Sequence, residues 1–300
     1  MTVPSLAGPS SSREQRFPDF LCIGAQKAGT TWLDANLRRN PEIWMPWIKE
    51  IQYFNDVHIP AHRNWTRAHR QRHAENAARR LVKRSEGERL DLRTMHAIAS
   101  LAAEPISDDW YGRIFSHAGP HRICGEITPE YSLLPPEGVA HVKRLCPQLK
   151  VIFLMRDPIE RCWSHIRMLA SRQSGIDIER LAEQDDVIVR CDYARILDRW
   201  TAAFGPDRMF AADFEQIIRE PEALLTGICD FLGVKPHAAT LRRAAAVVFP
   251  GQEMPMPPRI RDILEARLAD IYRSNRQRTV QPAGAASLEP FDDNMKGPAA

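Results

Sequence analysis

The 300-residue chain has no uninterrupted apolar run approaching the roughly 18 residues that a membrane-spanning helix requires, and its N-terminus lacks the apolar core of a secretory signal. The sequence therefore predicts no membrane anchor in this chain. Charge of one sign is also scarce: 41 basic against 38 acidic side chains leave +3. Composition thus does not mark a nucleic-acid binder, and an anionic ligand would need a local basic patch. The six cysteines, Cys22, Cys124, Cys146, Cys162, Cys191 and Cys229, form no CxxC pair and show no metal-ligand spacing. Cys22, Cys124, Cys162 and Cys229 stand beside apolar residues, which reads as a reduced, cytoplasmic interior. No internal repeat is evident.

What is present is a globular composition, 44% hydrophobic, on a length that suits one α/β domain with insertions. The stretch FLCIGAQKAGTTWL at residues 20–33 organises the rest. Leu21, Cys22 and Ile23 read as a short buried strand, and Gly24 and Gly29 bracket a turn whose N–H groups can point inward without Cβ interference. A helix start follows at Thr30 and Thr31, so the positive end of a helix dipole adds to the loop and favours a phosphate or sulfate group. The glycine spacing matches the first half of the nucleoside-triphosphate loop, but Thr30 stands where that pattern requires lysine. The lysine sits inside the loop instead, as Lys27.

Residues 1–17 read as a disordered lead-in and 281–300 as a flexible tail, with a single domain over 18–280 between them. A helix is expected from Thr31 to about Arg39, stopped by Asn40 and Pro41. Residues 43–54 are rich in aromatic and β-branched side chains and are expected to be partly extended, with Glu50, Gln52 and Phe54 on one face and Lys49, Ile51 and Tyr53 on the other. A helical insertion spans about 58–120. Between Arg63 and Arg93 it carries ten Arg and Lys residues against Glu75, Glu86, Glu88 and Asp91, a solvated face or a surface for an anionic acceptor. His69 and His73 are spaced i, i+4 but no carboxylate motif accompanies them, so no metal site is expected. Trp110, Tyr111 and Phe115 either wall the acceptor site or pack the insertion onto the core.

The run VIFLM at 151–155 predicts a central parallel strand covered on both faces. Arg156 ends it, and Asp157, Pro158 and Glu160 supply an N-cap, a first-turn proline and a capping-box glutamate. Ser164 falls about two turns along that helix, where its hydroxyl and the long Arg156 side chain can reach one phosphate. Later segments predict a helix ending at Phe204, a strand over 208–214, a helix over 221–232 and a last helix with Ile260, Ile263, Leu264, Leu268, Ile271 and Tyr272 as its apolar stripe. Apolar strands alternating with amphipathic helices imply an α/β fold, a central parallel sheet with helices on both faces.

Three blocks, in this order, resemble the sulfotransferases that use 3′-phosphoadenosine 5′-phosphosulfate (PAPS). QKAGTTWL at 26–33 resembles their 5′-phosphosulfate loop, KEIQYFN at 49–55 a segment of the heparan-sulfate branch, above all its N-sulfotransferase domain, and VIFLMRDPIERCWS at 151–164 their 3′-phosphate block. The resemblance implies a P-loop-like α/β architecture and sulfuryl transfer to a hydroxyl or amine of a saccharide or other small molecule, with adenosine 3′,5′-bisphosphate (PAP) as product and no metal required. It implies that Lys27, Ala28, Gly29, Thr30, Thr31 and Trp32 receive the phosphosulfate, and that Arg156 and Ser164 bind the 3′-phosphate. Lys27 would stabilise the leaving phosphate, Glu50 would be the general base, and Gln52 and Glu126 would face the acceptor. Golgi members of the family carry an anchor, so a bacterial-type member or a trimmed chain is implied.

Two departures stand out. Ile127 follows Glu126 where many heparan-sulfate relatives have a polar or basic residue, and residues 249–252, FPGQ, lack the lysine of the family's late nucleotide-closing loop. Arg242, Arg243 or Arg259 would have to replace it. Two other readings stay open on the residues alone. A P-loop kinase or NTPase would use Asp157 as its Mg²⁺ carboxylate, and a non-enzymatic anionic-glycan binder would use the basic insertion.

Overall fold

The structure, a computed structural model, describes residues 15–85, 89–103, 105–119, 122–173, 175–246 and 254–278. Of the lead-in expected at 1–17, residues 1–14 lie outside the described residues, as do the tail at 281–300 and the FPGQ loop, whereas Arg16 pairs with Asp19 and Phe17 packs against the core, so 15–17 belong to the domain.

Strand β1 (Phe20–Gly24) is wholly buried, as an apolar run flanked by strands on both sides must be. It pairs in parallel with β3 (Ile123–Ile127) on one side and β4 (Lys150–Met155) on the other. The two-residue β2 (Ile43–Trp44) and β5 (Met209–Asp213) complete a parallel sheet of order β2-β3-β1-β4-β5. Connections from β1 and from β4 therefore run toward opposite edges. The gap this leaves at their carboxyl ends is the place where open α/β sheets bind ligands.

Helices surround the sheet. α1 (Thr30–Leu37) follows β1, and α2 (Tyr53–His58), α3 (Arg63–Arg84), α4 (Leu92–Ser100) and α5 (Asp108–Phe115) form the segment between β2 and β3. α6 (Pro136–Leu145) precedes β4, and α7 (Pro158–Ala170) follows it. The core gathers Phe20, Leu21, Ile23, Phe153 and Leu154, none of them exposed, each contributing about 1.5–3 kcal/mol by burial. A second cluster joins Ile159, Cys162, Trp163 and Ile166 of α7 to Ile260, Leu264 and Leu268 of the helix Pro258–Arg278. α7 is thereby gripped from outside by the apolar stripe read from the sequence. All six cysteines are free and buried.

Trp110, Tyr111 and Phe115 are at most 4% exposed, which assigns them to packing the insertion rather than to an open wall. Residues 49–54 depart from the extended reading. Glu50 (φ 63°) and Gln52 (φ 60°) are left-handed and α2 begins at Tyr53, so Lys49 does not lie on a face opposite Glu50. The aromatic and β-branched side chains that suggested an extended run are satisfied by burial, since Ile51, Tyr53 and Phe54 are at most 2% exposed.

Candidate active site

The loop after β1 builds the site's floor. Lys27 adopts φ 71° and Gly29 φ 87°, left-handed positions of the kind that let neighbouring backbone N–H groups converge on an anion. Any side chain at Gly29 would place its Cβ 2.3 Å from Ile217 Cδ1, which ties the glycine to close packing as well as to its left-handed backbone. The amides of Thr30, Thr31 and Trp32 are first-turn groups of α1, without intrahelical partners. The Ala28 amide, expected with them, is instead bonded to the Ala25 carbonyl at 3.1 Å, and Ala28 is fully buried. Trp32 directs its indole N–H to the Ala244 carbonyl at 2.7 Å, fastening α1 to the segment that holds Arg242 and Arg243.

Arg156, at the end of β4, reaches the Lys27 carbonyl with Nη1 at 3.4 Å. Its guanidinium lies over the Phe214 ring, 4.6 Å from the centroid, and 3.6 Å from the Glu160 carboxylate. Ser164 sits two turns into α7 and is 9% exposed. Burial, together with Arg156, Arg167, Arg172 and Lys49, holds the Lys27 ammonium below the usual lysine range. A place where burial and like charges both disfavour cations is one that an anion relieves. The residues present thus fit an anionic group such as phosphate or sulfate, held between the loop and Arg156.

The segment 49–52 adjoins this floor. Lys49 Nζ donates to Thr31 Oγ1 at 3.1 Å and Thr30 Oγ1 at 3.4 Å, and stands 3.5 Å from Glu50 Oε1. Lys49 thereby links the start of α1 to Glu50. Gln52 Nε2 donates to Glu50 Oε2 at 3.1 Å, and Arg70 on α3 donates from Nη1 to the Gln52 carbonyl at 3.4 Å. Burial raises the Glu50 carboxyl above the usual range, opposed by Lys49 and reinforced by Glu130. The basic insertion therefore touches the segment through Arg70, and on the same helix the His69 ring stacks on His73 at 4.2 Å.

Glu126 does not occupy the acceptor-facing position expected of it. Its side chain lies beneath the segment, 1% exposed, and its oxygens accept from Tyr111 Oη, Tyr131 Oη, Thr128 Oγ1 and the Ile51 amide. Sequence reasoning also missed Gln26, Glu130 and Arg190. Gln26 Nε2 donates to Glu130 Oε1 at 3.1 Å, and Arg190 Nη2 donates to Glu130 Oε2 at 2.9 Å. Glu130 follows a turn-forming Thr-Pro pair that marks a strand end, but Arg190 lies 60 residues further on with no local signal. Both side chains of this pair are 5% exposed. Arg190→Met should therefore lower unfolding free energy by about 3–5 kcal/mol, because it strands a buried carboxylate. A urea midpoint close to that of the unaltered protein would show the pair to be dispensable.

Together these features define an α/β protein with a P-loop-like anion site at the point where its strand order reverses. The chain belongs to the sulfotransferase family, whose model matches residues 18–238. It is 26% identical over 163 residues to human heparan sulfate glucosamine 3-O-sulfotransferase 3B1, covering 48% of this chain and 42% of that one. To human bifunctional heparan sulfate N-deacetylase/N-sulfotransferase 3 it is 23% identical over 246 residues, 74% of this chain and 23% of the other. The chain thus spans less than half the length of these relatives. Among solved structures, a sulfotransferase from Alicyclobacillus acidocaldarius superposes with a TM-score of 0.60 at 22% identity, covering 87% of this chain and 94% of that one. The fold is shared with it. Among the described residues, no helix is long and apolar enough to cross a membrane.

Proposed function

We propose that this chain transfers a sulfuryl group from PAPS to a hydroxyl or amine of a saccharide or other small molecule, acting in the cytoplasm. The carrying observation is that Lys27, Arg156 and the ion pair of Lys49 with Glu50 meet at the carboxyl ends of β1 and β4. In this reading the donor's phosphosulfate lies against the amides of residues 29–32, and its 3′-phosphate against Arg156 and Ser164. Bound there, the donor supplies the electrophilic sulfur. Lys27 stabilises the charge that grows on the bridging oxygen as the bond to sulfur breaks. Glu50 takes the acceptor's proton during attack, and Gln52 and Lys49 hold its two carboxylate oxygens. The saccharide class rests on the names of the heparan sulfate relatives, and the cytoplasmic setting on six buried free thiols.

The kinase reading asks Asp157 to hold Mg²⁺. That carboxylate caps α7, accepting from the Glu160 amide at 2.9 Å, and its other oxygen accepts from Tyr272 Oη. Both oxygens thus have structural partners, which favours the sulfuryl reading. Calorimetric titration with PAP, beside ADP and ATP–Mg²⁺, tests it. A preference for PAP of at least about tenfold, 1.4 kcal/mol, is expected, and Arg156→Ala should abolish it. Preference for ATP–Mg²⁺ would overturn the reading. A PAP-binding protein then goes to an acceptor screen with radiolabelled PAPS over sugars, amino sugars and phenols.

A further inference from the structure

Glu50 and Gln52 both hold left-handed backbone conformations that non-glycine residues rarely adopt, with Ile51 between them. Such a conformation persists only where its surroundings over-determine it. What determines it here lies underneath. The Ile51 amide donates to Glu126 Oε2 at 3.1 Å, and the Tyr53 amide donates to Tyr131 Oη at 3.0 Å. Tyr131 Oη in turn donates to Glu126 Oε1 at 2.8 Å, while Tyr111 Oη reaches that oxygen at 2.6 Å and Thr128 Oγ1 reaches the other at 2.7 Å. Because Tyr131 accepts from a backbone N–H, its own proton points to Glu126. A carboxylate that receives four donors in a fully buried setting has no capacity left for a substrate.

We propose that Glu126, acting through Tyr131 and the Ile51 amide, is a positioning residue: it fixes the left-handed turns that aim the Glu50 carboxylate into the site. This rests on the reading of Glu50 as general base, and it gives the strand β3 a part in the reaction without contact to either substrate. Two tyrosines serve Glu126, but only Tyr131 also holds the segment's backbone. Tyr111 donates to Glu126 and stacks on the Tyr53 ring at 4.8 Å, an arrangement that phenylalanine retains apart from the hydroxyl.

The test compares Tyr131→Phe, Tyr111→Phe and Glu126→Gln in protein labelled with ¹³C at the glutamate carboxyl carbon. The Glu50 signal is assigned by its loss in Glu50→Gln. In the unaltered protein it is expected to titrate above the ordinary glutamate range, because burial disfavours the charged form. Tyr131→Phe and Glu126→Gln should move that titration down toward the ordinary range, as the turn relaxes and water reaches the carboxylate, while Tyr111→Phe leaves it in place. PAP affinity should stay within about twofold in all three. If Glu126→Gln does not fold, the tyrosine pair decides alone. An unmoved Glu50 signal in folded Tyr131→Phe overturns the proposal, and so does an equal shift in Tyr111→Phe, which would mean that the buried cluster supports the fold in general. The titration reads where Glu50 sits whether or not it is the base, and transfer by Glu50→Gln judges that separately.

Discussion

Lys27→Ala is expected to lower sulfuryl transfer by about 10²–10³-fold, the magnitude associated with removing one preorganised group that meets charge developing in a transition state. The residue is suited to this because the loop holds it in a left-handed conformation and its charge is partly desolvated. An ammonium in such a setting acts more strongly than one in water, since the local dielectric response is weaker. Stability should move in the other direction or not at all. Burial and the neighbouring cations depress the Lys27 ammonium in the ligand-free fold, so at neutral pH its positive charge is a net burden on the folded state. Removing it relieves repulsion among Lys27, Arg156, Arg167 and Arg172. The comparison needs three measurements: transfer rate, thermal midpoint, and PAP titration. A lost rate with an unchanged or higher midpoint matches the assignment. A rate equal to that of the unaltered protein removes Lys27 from the chemistry.

Glu50→Gln should lower transfer by about 10²–10⁴-fold, the usual range for a positioned general base, and leave PAP affinity nearly intact. The amide keeps the shape and can still meet Gln52 and Lys49, but it cannot take a proton. The pH dependence follows from the direction in which burial moves the group. Glu50 is raised above the ordinary glutamate value, so it becomes protonated, and inactive as a base, at a higher pH than an exposed glutamate would. Transfer by the unaltered protein should therefore rise with pH along an acidic limb lying above the ordinary glutamate range. That limb should vanish from the residual activity of Glu50→Gln. Full activity of the variant, or an acidic limb that survives in it, assigns the proton to another group.

The glycine loop after β1 and the strand-to-helix turn after β4 were legible because each is a local device. A buried strand, a glycine turn and a helix start are encoded by adjacent residues, and FLCIGAQKAGTTWL becomes β1, the Lys27 loop and α1. The same holds for VIFLM followed by Asp157, Pro158 and Glu160, which becomes β4 and the capped start of α7. The segment 49–54 was read less well. Its alternating bulky side chains suggest a strand, whereas its backbone is set by hydrogen bonds to Glu126 and Tyr131, more than 70 residues away. Tertiary contacts override such a weak local preference.

By itself, then, the sequence determined the kind of protein this is: an α/β chain of the sulfotransferase family with an anion loop bearing Lys27 and a strand ending in Arg156. Those properties depend on short-range backbone geometry and on which side chains are apolar. Only the tertiary structure decided that Lys49 bridges α1 to Glu50, that Arg190 is the partner of Glu130, and that Glu126 lies under the site instead of within it. Each of these depends on which charged or polar groups the fold brings together, and the sheet order β2-β3-β1-β4-β5 sets β3, β1 and β4 side by side although they are far apart in the chain. A charged side chain's role depends on which partner it meets once water is excluded, and that partner is chosen by the folding of the whole chain.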